Sequence, residues 1–275
     1  MRSQRFSERL MGIITWGAAF IAFGALLYIV GFILVKGVPY LKPSLFELHY
    51  NSDNVSLMPA MISTVMITIA SLVIAVPLGI FSAIYLTEYA KRGNRAVAYV
   101  RITAETLSGI PSIVYGLFGM LFFVTFLGWG FSLASGAFTL AIMILPLVMR
   151  SGEEALKSVD DAYREGAFAL GAGKLRVVFR IVLPAAMPGI AAGIMLAIGR
   201  IVGESAALIY TAGTVAQIPF SPMESARTMS VHMFALSGEG LHINEGYATA
   251  VVLLIVVVLI NIAAAKIAKR LGESG

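Results

Sequence analysis

The chain has 275 residues, a net charge of +5, 59% hydrophobic and 13% charged residues, and no cysteine. Soluble domains average roughly 45–50% apolar and about 25% charged residues, so this composition excludes a soluble globular enzyme and a disordered chain and indicates an integral membrane protein. Without cysteine, this chain has no disulfide, thiolate metal site or cysteine nucleophile.

Six apolar stretches are predicted to cross the bilayer as α-helices, each of which needs about 20 residues. The first is uncharged from Leu10 to Val35, which is longer than the roughly 7–15 apolar residues of a cleaved signal peptide. We therefore expect one all-α membrane domain over residues 1–275. The predicted spans are Leu10–Val35, Met58–Leu86, 102–127, 133–150, Gly189–Tyr210 and Gly246–Ala265.

The third and fourth spans are inferred from one uncharged stretch, Thr106–Met149. A single helix of this length would extend about 66 Å at 1.5 Å per residue, about twice the hydrocarbon core. The chain is therefore predicted to turn between Gly128 and Gly136, where Trp129 is typical of the membrane interface.

Lysine and arginine determine the predicted orientation because they concentrate in cytoplasmic loops. With the N-terminus inside, sixteen of these residues face the cytoplasm and three face outside, so both termini are predicted to be cytoplasmic. This asymmetry explains the positive net charge without a nucleic acid partner. Residues 151–188 then form a cytoplasmic loop, and residues 36–57 and 211–245 are external. The apolar residues that predict a short helix on the outer surface are Met229, Val231, Met233 and Phe234.

The sequence carries none of the common catalytic or nucleotide-binding motifs. The nearest approach to a phosphate-binding loop is Gly173-Lys174, but Leu175 follows where serine or threonine is required. The three histidines fall in external segments and lack the spacing of metal ligands. We therefore expect no catalytic residue, metal or cofactor in this chain.

The cytoplasmic loop contains a regular spacing of acidic, small and apolar residues. Asp160–Leu170 is predicted to form a short helix, because aspartate at its start favours the positive end of the helix dipole. Gly171 and Gly173 are expected to end this helix. A short helix held at the membrane surface suits docking into a partner's groove. The alternative is an ordinary amphipathic connector.

This loop resembles the cytoplasmic motif of the permease subunits of bacterial ABC importers. The matching residues are Glu165, Gly166, Ala167, Gly171, Ile181, Leu183 and Pro184, with Gly166 in place of the usual alanine. The stretches 107–119 and 199–205 are similar to PstA-type phosphate permeases. The resemblance implies a type I importer fold, coupling through the matching residues to two copies of a cytoplasmic ATPase that bind ATP and magnesium, a second homologous permease and an external phosphate-binding protein.

Two charged residues, Arg200 and Glu204, interrupt the fifth predicted span. Arg200 would lie roughly 17 Å from the cytoplasmic start of that span, where a charge usually marks a transport path or relay. Glu204 would lie one turn further on the same face. An arginine fork suits phosphate, and Glu204 would position Arg200 or accept the proton of hydrogen phosphate. The alternative is a structural ion pair that joins two helices.

Three more polar residues are weaker candidates for the path. Arg101 and Glu105 have the same spacing as the charged pair of the fifth span, but Arg101 lies nearer the interface, where its long side chain can reach water. Ser112 follows a Gly-Ile-Pro stretch, which is either exposed backbone beside the path or a packing kink.

These observations together predict a transmembrane subunit of an ATP-driven phosphate importer in a bacterial inner membrane, in contact with lipid. A permease for another oxyanion, such as sulfate or molybdate, is the alternative within this class. A channel or ion-coupled carrier that works without an ATPase is the rival outside it, although it would have no need of the segment Glu165–Pro184. A membrane enzyme is disfavoured because no catalytic motif is present.

Overall fold

The computed structural model describes the backbone of residues 2–91 and 93–273 and the side chains of residues 11–91, 93–238 and 240–266. Some basic residues used for the predicted orientation have side chains outside these ranges: Arg2, Arg5, Arg9, Arg92, Lys269 and Arg270. The described residues form eleven α-helices. They are α1 (Arg2–Gly37), α2 (Met58–Ile84), α3 (Arg95–Ser108), α4 (Ser112–Gly119), α5 (Leu133–Lys157), α6 (Asp161–Ala169), α7 (Lys174–Val177), α8 (Leu183–Val202), α9 (Ala206–Ile209), α10 (Met229–Glu239) and α11 (Ile243–Glu273).

Five helical stretches are long and apolar enough to cross a bilayer, and α3 together with α4 forms a sixth, broken one. The five are Met11–Tyr40, Met58–Tyr89, Leu133–Lys157, Lys174–Val202 and Ile243–Lys266. The predicted all-α membrane fold with about six spans is thus confirmed. We call the end of the bundle that carries α6 the inner end, and the opposite end the outer end.

The helix of the fifth span begins earlier than the sequence predicts. A π-helical turn, Val178–Val182, joins α7 to α8, so that one helix runs from Lys174 to Val202. Pro184 lies in the first turn of α8 and has no N–H group to donate to the preceding turn. A π-helical turn is a local adjustment of the backbone bonds that a membrane helix tolerates beside proline. Much of the predicted loop 151–188 is therefore helical.

The third span, predicted over residues 102–127, is broken at the Gly-Ile-Pro stretch, where the sequence predicts either exposed backbone or a kink. The chain bends by 100° between α3 and α4, because Pro111 lacks a backbone donor and disfavours a helical conformation in the residue before it. The hydroxyl group of Tyr115 donates to the carbonyl oxygen of Leu107 at 2.8 Å and so links the two halves across the break.

The predicted turn between the third and fourth spans is confirmed. Gly128 and Gly130 have φ angles of 67° and 65°, a left-handed conformation that glycine adopts without a steric penalty. The ring of Trp129 stacks on Phe123 with centroids 5.4 Å apart and meets Phe138 edge-on. These aromatic rings close the outer end of the hairpin formed by α4 and α5.

Helix α5 lies at the centre of the bundle and is the most buried span. It packs against α2, α3, α4 and α8. Small residues permit the close approach of these helices. A Cβ atom on Gly79 of α2 would lie 2.8 Å from Cγ1 of Val148, inside van der Waals contact. Helix association in a bilayer depends on such close packing, because lipid chains leave no hydrophobic driving force between helices.

Helix α10 is inserted into the bundle, whereas the sequence predicts a helix on the outer surface. Met229, Val231 and Leu236 are fully buried, and α10 packs against α2 and α11. The backbone N–H of Met229 donates to Oγ1 of Thr64 at 2.9 Å, across 165 positions of sequence. This hydroxyl satisfies one of the free N–H groups at the helix start, which allows α10 to be buried.

The close contact of α4 with α9 predicts a packing defect when Gly116 is enlarged. A Cβ atom on Gly116 would lie 2.8 Å from the backbone Cα of Ala207. We expect Gly116→Val to destabilise the protein by about 1–3 kcal/mol, the usual cost of overpacking, measured as a lower thermal unfolding temperature in detergent. Gly199→Val is the matched control, because no atom lies within 4 Å of a Cβ there. An equal loss in both variants would contradict this packing.

Candidate functional site

Arg200 lies in the last turn of α8 and is partly exposed. Among the described residues, no carboxylate oxygen lies within 4.0 Å of its guanidinium nitrogens. A charge within a span is costly and is usually paired or placed beside a transport path. Arg200 thus presents a positive charge that no described carboxylate neutralises by an ion pair.

Glu204 does not share a helical face with Arg200, and that prediction is wrong. Helix α8 ends at Val202, and Glu204 follows outside the helix with 9% of its surface exposed. Its Oε1 accepts a hydrogen bond from the N–H of Ala207 at 3.1 Å, which caps α9. Its carbonyl oxygen accepts from the hydroxyl group of Ser230. The alternative of an Arg200–Glu204 ion pair is therefore not formed.

These two charged residues lie below the outer surface of the bundle. Ser230, which contacts Glu204, follows Met229, whose N–H group bonds to Thr64. Thr64 lies about 9 Å along α2 from its outer start at 1.5 Å per residue. Glu204 therefore lies in the outer half of the spans. Arg200 lies four residues before it, in the helix that runs outward from the inner end.

The weaker candidates have other contacts. Arg101 on α3 places Nη2 2.5 Å from Oε1 of Glu153 on α5, a carboxylate only 8% exposed. Glu105 lies 3.8 Å from Arg150 in an exposed position, where an ion pair contributes little stability. Ser112 begins α4 and is half-buried. The structure therefore gives Arg101 a structural partner, and the role of all three candidates in the path stays a prediction.

Residues 160–184, which we call the docking segment after their predicted role, fold largely as predicted. Asp160 caps α6 by accepting a hydrogen bond from the N–H of Ala162 at 2.9 Å. Gly171 has a φ of 81°, the left-handed conformation that commonly ends a helix. Gly173, by contrast, has an extended backbone and precedes α7, so the prediction that it ends α6 is wrong.

The residues that match the importer motif divide into an exposed set and a packed set. The exposed residues on and after α6 are Glu165, Gly166 and Gly171. The residues that pack within or against the apolar cluster beneath α6, or begin α8, are Ala167, Ile181, Leu183 and Pro184. One side of the segment is thus fixed to the bundle while the other is open to a partner.

Arg164, which the sequence analysis missed, fastens α6 to two spans. Its Nη2 lies 2.8 Å from Oε1 of Glu88 beyond α2 and donates to the carbonyl oxygen of Leu156 at 2.8 Å. Its Nη1 donates to the carbonyl oxygen of Val159 at 2.7 Å and to Asp161 at 3.1 Å. The Arg164 and Glu88 side chains are only 14% and 9% exposed. The planar guanidinium fork therefore holds one fixed geometry at the inner end.

The sequence contained little signal for this contact. Glu88 is 76 positions from Arg164, and a charged residue on a short amphipathic helix is ordinarily expected to face water. Arg164 lies one turn after two aspartates, a spacing that also agrees with a local ion pair on the helix surface. Only the tertiary structure shows that its guanidinium points inward.

The Arg164 contacts predict that α6 loosens when the guanidinium is removed. Arg164→Gln leaves the Glu88 carboxylate buried without its partner, a change that typically costs about 3–5 kcal/mol. We expect faster hydrogen exchange over the α6 amides, measured by mass spectrometry. Arg176→Gln, which removes an exposed arginine of α7, is the control. Equal exchange over α6 in both variants would contradict the assigned role of Arg164.

Comparison with known proteins places this architecture in a family. Residues 75–273 match the family model described as "Binding-protein-dependent transport system inner membrane component". This range runs from α2 to the end of α11 and includes the docking segment, Arg200 and Glu204.

Individual relatives agree with this match. The probable ABC transporter permease protein YqgI of Bacillus subtilis is 36% identical over 211 residues, which cover 70% of this chain and 71% of the relative. The phosphate transport system permease protein PstA 1 of Mycobacterium tuberculosis is 38% identical over 198 residues, which cover 71% of this chain and 64% of the relative. The phosphate transport system permease protein PstA 2 of Mycobacterium bovis is 34% identical over 217 residues, which cover 77% of this chain and 71% of the relative.

Solved structures agree in fold. A chain of a bacterial alginate ABC transporter, solved in complex with an alginate-bound periplasmic protein, has a TM-score of 0.66 at 17% identity, with 98% and 96% of the two chains covered. A chain of the inward-facing MetNI methionine ABC transporter has a TM-score of 0.61 at 20% identity, with 78% and 94% covered. The chain is therefore a multi-pass membrane permease that belongs to the family of binding-protein-dependent transport system inner membrane components.

Proposed function

We propose that this chain is a transmembrane subunit of an ATP-driven importer that moves inorganic phosphate across the bacterial cytoplasmic membrane. The similarity to relatives named as phosphate transport permeases supports this substrate. The proposed partners are a second homologous permease, two copies of a cytoplasmic ATPase and an external phosphate-binding protein. ATP and magnesium would be bound by the ATPase, so this chain would carry no cofactor and no catalytic residue.

The position of Arg200 is the observation that carries the proposal. Its guanidinium lies within the membrane part of the chain, is partly exposed and has no carboxylate partner among the described residues. A guanidinium fork binds two oxygens of a phosphate with parallel hydrogen bonds. The permeating anion would supply the counter-charge that the described residues do not provide, for as long as the anion occupies the path.

The carboxylate of Glu204 favours phosphate over an oxyanion that carries no proton. Its Oε1 is occupied by Ala207, whereas its Oε2 has no hydrogen-bond partner in the described part of the chain. A carboxylate accepts hydrogen bonds and repels a fully deprotonated anion. Hydrogen phosphate can donate its O–H group to Oε2, but sulfate has no proton to donate at neutral pH. A site that bonds a substrate hydroxyl rejects analogues without one.

The docking segment supports coupling to an ATPase. Its exposed face offers Glu165 and Gly166 to a partner, while Arg164 and Ala167 hold the helix against the bundle. The same apolar cluster includes residues at the inner end of the helix that leads to Arg200. A displacement of α6 would thus be passed to that helix. A channel or ion-coupled carrier has no use for such a segment, which disfavours the rival function.

Uptake of labelled phosphate tests the proposal. The cells used lack their own high-affinity phosphate uptake and express this chain with its candidate partners. Arg200→Gln should lower uptake roughly tenfold to hundredfold, because a hydrogen bond to a charged group is worth about 1.5–3 kcal/mol. The yield of assembled complex should stay normal. Lys42→Gln, which removes an exposed charge in the external segment before α2, is the control and should leave uptake unchanged.

Three further outcomes distinguish the alternatives. Since Arg200 and Glu204 are not paired, adding Glu204→Gln to Arg200→Gln should not restore uptake, and recovery would argue for a structural pair. Uptake of labelled sulfate or molybdate in place of phosphate by the unaltered chain would identify it as a permease for another oxyanion. Uptake that needs no ATPase would identify a channel or carrier.

A further inference from the structure

A basic cavity lies at the inner end of the bundle, between the end of α2, the start of α3 and α6. It has a volume of about 590 Å³. Its basic lining residues are Lys91, Arg95, Arg101, Lys157 and Arg164. We call this space the basic cavity. It is separate from Arg200 and Glu204, which do not line it.

The basic cavity has charge that the chain leaves uncompensated. Glu153 pairs with both Arg101 and Lys157, and Glu88 pairs with Arg164. In contrast, no carboxylate of the described residues lies within 4.0 Å of the amino group of Lys91 or the guanidinium of Arg95. Both residues are exposed, so two positive charges are available to an anion.

An apolar groove of about 470 Å³ adjoins the basic cavity on the membrane side. Phe81 and Tyr85 of the second span line it and are 61% and 57% exposed, and Val100 of α3 lines its other side. The groove and the cavity share three lining residues, Leu86, Asn94 and Val97. The two spaces are therefore neighbours, one with a basic lining and the other with an apolar lining.

We propose that these two neighbouring spaces form one site that binds an anionic phospholipid of the inner leaflet. The headgroup phosphate contacts Lys91 and Arg95 in the basic cavity, and an acyl chain lies in the groove against Phe81, Tyr85 and Val100. Basic residues at the cytoplasmic membrane surface attract anionic lipids. A free phosphate ion would use the cavity but leave the groove empty, whereas an amphiphile occupies both.

The site connects the lipid to the docking segment. Arg164 of α6 lines the basic cavity together with residues that end the second span and begin α3. A lipid seated there would contact all three elements, whereas Arg164 itself joins α6 only to Glu88 at the end of the second span and to the end of α5. Its binding does not depend on which anion the protein transports, so a failure of the lipid proposal is distinguishable from a failure of the phosphate proposal.

A photoactivatable phosphatidylglycerol with its reactive group on the acyl chain tests the proposal, using the full chain purified with its co-expressed partners in nanodiscs. We expect adducts within residues 78–100, located by mass spectrometry. Lys91→Gln with Arg95→Gln should reduce this labelling roughly thirtyfold, the expected effect of removing two basic residues near an anionic headgroup. The control pair, Lys36→Gln with Lys42→Gln, removes two charges at the outer end of the bundle. This pair should not change the labelling.

Competing probes separate the lipid from other occupants. Val100→Asn, which makes the groove polar, should also reduce labelling, and phosphatidylcholine with the same reactive chain should label weakly. Labelling that is absent, or insensitive to Lys91→Gln with Arg95→Gln, would overturn the proposal. Displacement by inorganic phosphate as efficient as by unlabelled phosphatidylglycerol would also overturn it, since the site would then be a free-anion site. Cross-linking of a cysteine at position 100 to a co-purified protein would show that a subunit, not a lipid, covers the groove.

Discussion

The close packing of α5 is the constraint on which the rest of the structure depends. Four other helices must approach this one helix, and lipid provides no hydrophobic force to bring them together. Small residues at the contacts therefore set the fold. Gly136 shows this at the outer end, where a Cβ atom would lie 2.8 Å from Cβ of Ala212, so the chain after α9 can cover the start of α5. Ala207 of α9 in turn lies against Gly116 of α4.

The same central helix joins the docking segment to the candidate substrate site. Arg164 donates to carbonyl oxygens of Leu156 and Val159 at the inner end of α5, and it pairs with Glu88 beyond α2. The 29-residue helix from Lys174 to Val202 leaves the same region and extends about 43 Å at 1.5 Å per residue. Under the proposed function, movement at the inner end would be passed along this helix to Arg200.

The elements that could be predicted from sequence are those whose determinants are local. Uncharged length gives the spans, and Gly171 and Asp160 give the ends of α6. Two of the errors arise where distant residues decide. Thr64 allows α10 to be buried, and Glu88 draws Arg164 inward, and neither partner is near in sequence. The expected helical pairing of Arg200 with Glu204 fails because α8 ends at Val202 and Glu204 is used as a cap instead.

Rigid attachment of α6 to the spans can be measured directly by pulsed electron paramagnetic resonance. Because the chain has no cysteine, spin labels can be placed only at Val73 on α2 and Ala169 on α6, which are both exposed. The distance between the two labels is measured with and without ATP in an assembled transporter. ATP-driven phosphate uptake is confirmed on the same sample. Rigid attachment predicts the same distance in both states, to within about 2 Å, the size of a helix shift. A larger ATP-dependent change would show that α6 moves independently of the bundle and would contradict coupling through α5 and Arg164.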